Sequence, residues 1–167
     1  MQLKTGLNCP LSSGMGRLFD GAASLMDICQ LATYEGEGAV LLEAAAVEDC
    51  EESYPYEIAS GNVFDYAPVV SAILRDRADG VSRGIMAARF MNTLCVMAAD
   101  ITERIGKESG VKTAVLSGGS FQNMYILSRL PRMLEEKGFR VFTHRRVSCN
   151  DEGLSLGQLM VLNAALE

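Results

Sequence analysis

Residues 113–123, TAVLSGGSFQN, set the tightest limit on what this chain can become. A β-branched, apolar run from Val111 to Leu116 ends in Ser117-Gly118-Gly119, and Asn123 opens a helix-compatible segment four residues later. The order is strand, glycine turn, helix start, which is one half of an α/β unit. Two adjacent glycines let backbone approach a ligand closely, and free N–H groups at a helix start favour anions such as phosphate. Asn123 would offer a nucleotide both a donor and an acceptor. The same residues serve equally well as a plain strand-to-helix turn.

A second stretch, residues 140–158, repeats the pattern: RVFTHRRVSCNDEGLSLGQ. A strand from Val141 to His144 leads into a basic loop, then Asn150-Asp151-Glu152-Gly153, then an apolar helix from Leu154. Asn150 or Asp151 suits an N-cap, because a side-chain oxygen there accepts an orphan helix N–H. The functional alternative for Asp151 is a metal ligand, since carboxylates at strand ends face the crevice where α/β sheets bind ligands. The residues alone favour the cap.

Periodicity supplies the remaining elements. Apolar residues from Gly16 to Leu31 recur at helical spacing, and Ala39 to Glu51 reads as a second helix. Residues 53–66 break that pattern with Pro55, Gly61 and aromatics, predicting a β-hairpin that turns at Ser60-Gly61-Asn62. Ala67 to Arg77 is a helix with Pro68 in its first turn. Ser82 to Ser109 is the longest helix, its methionines serving as core filler. The last third is β-α-β-α. The expected fold is helix-rich α/β, a small mixed sheet flanked by helices, in a single domain over 1–167.

Composition narrows the function classes. Apolar residues make up 49% of the 167, and the net charge is −6. No basic patch dominates, which argues against a nucleic-acid platform held by phosphate contacts. Five cysteines, odd in number and widely spaced, suit reduced thiols in a cytoplasm. No apolar run reads as a membrane span, and the N-terminus lacks a targeting pattern, so the expected location is cytoplasmic.

Further upstream stand Gly16-Arg17-Leu18-Phe19-Asp20 and Thr33-Tyr34-Glu35-Gly36. With LLE, YPYEI, AARFMNTL, LSGGSFQN and NDEGLSLGQ in that order, the chain resembles the C-terminal part of HypF, the carbamoyltransferase that matures nickel–iron hydrogenases. The resemblance is to the second lobe of its carbamoyl-transfer domain, which is related to TsaD and to actin-like ATPases. It implies an actin-like, ribonuclease-H-like lobe with nucleotide held in the cleft between two lobes. The family pattern carries His where this chain has Met91, two prolines where it has Ser148 and Cys149, and Gly where it has Glu152. The single histidine, His144, leaves no HxxxH metal motif of the first lobe, and there is no pair of CxxC motifs. The chain is therefore expected to be a piece of a longer protein.

Carried over residue by residue, the resemblance implies that Asp20 touches the nucleotide ribose and that Gly36 lines the adenosine pocket. Gly118, Gly119 and Asn123 would hold the nucleotide. Asp151 would supply one ligand to a divalent metal whose other ligands lie in the missing lobe. The implied cofactors are ATP or carbamoyl-adenylate and that metal. The implied partners are the missing N-terminal lobe and domains of the parent HypF, and HypE, whose C-terminal cysteine receives the carbamoyl group. Two other classes stay open: the nucleotide-binding lobe of another actin-like enzyme, TsaD-like or a sugar kinase, and a non-catalytic interaction remnant.

Overall fold

The helix that the sequence marks as longest becomes the centre of the molecule. In the computed structural model, which describes residues 2–10 and 12–166, helix α5 runs from Arg83 to Ser109. Ser82 opens it, its hydroxyl accepting the Ile85 N–H at 3.3 Å, and Gly110 closes it at a φ of 76°, a left-handed backbone that favours glycine. By length and composition α5 is apolar enough to cross a membrane, contrary to the sequence expectation. It is instead the core helix, with 61% of its most apolar window buried in the protein. Phe90 is fully buried and meets Phe19 edge-to-face at 5.6 Å. Burial pushes the Cys95 thiol up to about 12, so it behaves as a small hydrophobe.

Around α5 pack α3 (Glu37–Ala45), α4 (Ala67–Ala78) and α6 (Met124–Glu136), with α2 (Met15–Leu25) lying on α3 and α4. A short α1 (Gln2–Thr5) precedes them, and α7 (Leu154–Leu166) ends the described residues. The strands form two separate two-stranded sheets. β1 (Glu57–Ala59) and β2 (Val63–Asp65) make the expected antiparallel hairpin, with Gly61 and Asn62 both at positive φ in its turn. β3 (Thr113–Leu116) and β4 (Arg140–Thr143) pair in parallel, Thr113 opposite Arg140 and Leu116 opposite Thr143. A parallel pair needs a crossover, and α6 provides it.

Two helices end earlier than their apolar periodicity predicts. The first stops at Leu25, and Asp27 turns left-handed at a φ of 60° while the Ile28 and Cys29 N–H groups fold back onto the Ala23 carbonyl. This turn tucks Met26 fully into the core. The second stops at Ala45 rather than Glu51, and residues 46–56 are neither helix nor strand, with a turn at Glu48-Asp49. Side chains of α5 capture that backbone. The Asn92 amide donates to the Cys50 and Glu52 carbonyls at 2.7 and 3.0 Å, and the Thr93 hydroxyl accepts the Tyr54 N–H at 2.8 Å. Helical periodicity reads apolar spacing and is blind to such competition for backbone hydrogen bonds.

The same segment explains two sequence motifs structurally. Tyr54 donates its hydroxyl to Asp76 at 2.9 Å, and Arg89 donates to the same carboxylate oxygen at 2.7 Å and to Glu52. The Tyr54 hydroxyl titrates well above the ordinary phenol range, chiefly from burial and then from Asp76. YPYEI and AARF are thus joined by a half-buried charged network that fastens residues 52–56 to α4 and α5.

Candidate functional site

Five of the six residues singled out from sequence meet at one cleft. Asp20, Gly36, Gly119, Asn123 and Asp151 all line a cavity of about 620 Å3, although they come from four separate stretches of chain. Gly118 does not line it.

One wall is the pair α2–α3. These helices pack closely at Gly38, where an added Cβ would lie 3.1 Å from the Asp20 Oδ1 and 3.3 Å from the Ala23 Cβ. Asp20 is bridged to Arg17, one turn earlier, at 3.0 Å. The loop before α3 is held by Glu37, whose carboxylate accepts the Thr33 N–H and hydroxyl. Those bonds draw the Glu37 carboxyl below its usual range, the backbone bond from Thr33 contributing most. Gly36 sits at a φ of +86° with open space where a Cβ would be. Its glycine identity follows from that backbone rather than from a close contact.

The opposite wall is the turn after β3. The helix after the glycine turn starts at Asn123, as the sequence predicts, and the residues between, Gly119–Gln122, form a short 3-10 turn. Gly118 has a φ of 104° and a ψ of 161°, a region almost reserved for glycine, and its N–H donates to the Cys149 carbonyl at 2.7 Å. It clamps the β3 turn to the loop after β4. Gly119 faces the cleft with nothing within 4 Å of its Cβ position.

Asn123 is buried, and both ends of its amide are engaged. Its Oδ1 accepts the Ile126 N–H at 3.0 Å, capping α6, and its Nδ2 donates to the Met91 thioether at 3.5 Å. The departure at Met91 therefore keeps an acceptor for Asn123, a weak one. Of the N–H groups expected to be free for phosphate at this helix start, those of Met124 and Ile126 are taken. Met124 N–H donates to Glu43 Oε1 at 2.7 Å, which places a carboxylate at the positive end of α6. Glu43 is the residue that sequence reasoning missed. It stands in the LLE motif and joins α3 to α6 across the cleft, and only its place in that motif signalled it. Asn123→Ala is expected to lower stability by about 1–2 kcal/mol through the lost cap. A denaturant midpoint unchanged from the wild type would remove the cap from the list of stabilising contacts.

The third contribution is the turn at Asn150–Gly153. Here the capping expectation for Asp151 is corrected: Asn150 is the cap, its Oδ1 accepting the Glu152 N–H at 3.0 Å. The Asp151 carboxylate is exposed and makes no hydrogen bond or ion pair among the described residues. Glycine is required at 153, because a Cβ there would lie 2.6 Å from the Ser148 carbonyl oxygen. That close approach holds the tight turn that carries Asp151 and Glu152 to the cleft edge.

The cleft is acidic. Asp20, Glu35, Glu43, Asp151 and Glu152 line it against one cation, Arg17. No group of three or more metal-ligating side chains occurs among the described residues. Two adjacent carboxylates on one turn suffice to share a hard cation with ligands from another body, and are too few to hold one alone. The donor set thus fits one side of a shared divalent site.

The family model described as "Carbamoyltransferase, Kae1-like Domain, second subdomain" matches residues 1–158. The carbamoyltransferase HypF of Synechocystis is 33% identical over 156 residues, covering 90% of this chain and 19% of that protein. HypF of Rhodobacter capsulatus is 34% identical over 164 residues, covering 97% of this chain and 21% of that protein. A crystal structure of full-length HypF in its phosphate- and nucleotide-bound form superposes with a TM-score of 0.93 at 39% identity, covering 99% of this chain and 26% of that one. The chain spans about a fifth of the length of the curated relatives it matches. On the family match, the relatives and the fold together, the chain belongs to the HypF carbamoyltransferases, as the second subdomain of their Kae1-like domain.

Proposed function

We propose that this subdomain forms one wall of a nucleotide cleft in which a carbamoyl group passes from carbamoyl-adenylate to the C-terminal cysteine of HypE. The observation that carries the reading is the convergence of Asp20, Gly36, Gly119, Asn123 and Asp151 on one cavity of nucleotide size. The solved relative with the same fold is described as phosphate- and nucleotide-bound, which supports the same reading.

In this reading the roles divide by wall. Asp20, held by Arg17, accepts from the ribose hydroxyls. The backbone at Gly36 borders the adenosine, with Val40 and Ala39 offering apolar surface beside it. Gly119 keeps the phosphate side clear of side chains, while Asn123 and Glu43 fix the turn that carries it. Transfer forms a bond from the cysteine sulfur to the carbamoyl carbon and breaks the bond from that carbon to the phosphate oxygen, whose electron pair leaves with AMP. An acidic wall repels that phosphate unless a cation lies between them. Asp151, with Glu152 beside it, would hold a divalent cation jointly with the first subdomain, and such an ion neutralises negative charge on the phosphate. A cleft built from one wall leaves the adenylate in water, so closure by the first subdomain also protects it from hydrolysis.

The 167-residue chain alone is therefore expected to bind ATP or AMP more weakly than about micromolar, because half the contacts are absent. Gly119→Val should abolish even that binding. Its side chain enters open space in the cleft, so folding is unaffected. Calorimetric titration of both proteins tests this, and equal heats from the two would remove the nucleotide from this wall.

A further inference from the structure

The end of the cleft that carries Gly119 offers carboxylates where an anion site would offer donors. The backbone N–H groups around it are already committed. Met124 N–H donates to Glu43 and Ile126 N–H to the Asn123 side chain, while Glu152 N–H donates to Asn150 and Gly118 N–H to the Cys149 carbonyl. Glu43 stands half-buried at the start of α6, and Asp151 and Glu152 are exposed on the turn before α7. Arg17, the one cation that lines the cleft among the described residues, is bridged to Asp20 on the α2 wall. A triphosphate is normally held by the reverse arrangement, free N–H groups at a helix start with a lysine or arginine beside them.

The adenine and ribose are common to ATP and to any adenylate made from it, so contacts with them favour neither. Discrimination between the two has to come from the phosphate end, and repulsion discriminates as well as attraction does. An acyl-adenylate carries a single negative charge on its phosphate, a monoester such as AMP close to two, and ATP more still. Each further charge is repelled by carboxylates fixed in the cleft wall. Glu152 doubles the charge on the turn that carries Asp151, and it stands where the family pattern carries glycine.

We propose that Glu152 is a specificity-determining residue: together with Glu43 it makes the cleft select adenosine ligands with a single phosphate charge and reject ATP. The proposal rests on the nucleotide reading of this cleft and adds to it the charge class of ligand that the cleft takes. Rejection of ATP keeps the source of the adenylyl group from occupying the place of the adenylate.

The test titrates the 167-residue chain, isotope-labelled and free of divalent ions, with adenosine 5′-methylphosphate, AMP and ATP. The amide signals of Gly36 and Gly119 report binding. The singly charged ester is expected to bind at least about tenfold more tightly than ATP, with AMP between them. Glu152→Gln should cut that ratio about threefold or more, and Glu43→Gln, which keeps an acceptor for the Met124 N–H, should cut it further. At about 1 M salt the Debye length falls to about 3 Å, and the wild-type ratio should fall toward one. ATP binding as tightly as the ester would overturn the proposal and leave the nucleotide reading in place. An unchanged ratio in Glu152→Gln would overturn it as well, since that side chain is exposed and its replacement reports on charge rather than on folding. If none of the ligands moves the Gly36 and Gly119 signals, the nucleotide reading falls and the proposal falls with it.

Discussion

Phe90→Ala is expected to cost about 3–5 kcal/mol, the range for truncating a large buried aromatic. Phe90 is fully buried in the N-terminal third of α5, and its ring meets Phe19 of α2 edge-to-face. The alanine variant loses the transferred apolar area, the aromatic pair and the dispersion contacts around the cavity left behind. A domain of this size has a total stability of about 5–15 kcal/mol, so the loss removes about a fifth of it or more. Urea unfolding of wild type and variant provides the measurement, with Phe90→Leu as the control at less than about 1.5 kcal/mol. A loss below 1 kcal/mol for the alanine variant would show that the site collapses without a cavity. The effect should reach the cleft, since Phe19 lines it and precedes Asp20.

Asp151→Asn is expected to separate folding from function. In the 167-residue chain the change should alter stability by less than about 0.5 kcal/mol, as for other exposed positions. The cap it might disturb is Asn150, and the Asp151 carboxylate has no partner among the described residues. Placed in a full-length relative, the same change should lower carbamoyl transfer about 100-fold or more. Loss of a group one layer further from a metal already costs about 10–100-fold, and a neutral amide is a poor ligand for a hard cation. Glu152 lies beside it, so the comparison is with Asp151→Asn combined with Glu152→Gly. Full transfer activity in both variants would end the metal-ligand assignment.

The two strand–turn–helix units were legible in the sequence because glycine pairs, β-branched runs and capping residues act locally. The hairpin at residues 57–65 was legible for the same reason. The ends of α2 and α3 were not, because they are decided by Asp27 folding back and by Asn92 and Thr93 capturing a segment roughly forty residues away. The cleft shows the same division. Gly36 and Gly118 announced themselves as glycines, but sequence could not show that both answer to backbone angles, or that Gly118 is clamped to Cys149. Asp151 was readable as a carboxylate after a strand; its freedom depends on Asn150 taking the capping role. Glu43 reaches its partner across 81 positions, beyond any local pattern.

The irregular segment 46–56 has a consequence for how the chain acquires its shape during synthesis. Its backbone is bonded to side chains of α5 about forty positions later, so helices α2 and α3 leave the ribosome with only each other and α4 to lie on until α5 follows. Phe19, Met26 and Leu42 stay open to solvent until α5 emerges. The cleft waits longer still, because its other walls come from residues 119–123 and 150–152. A chain stalled before residue 83 is expected to be a chaperone client, and one stalled after α5 to be largely folded but without its ligand site.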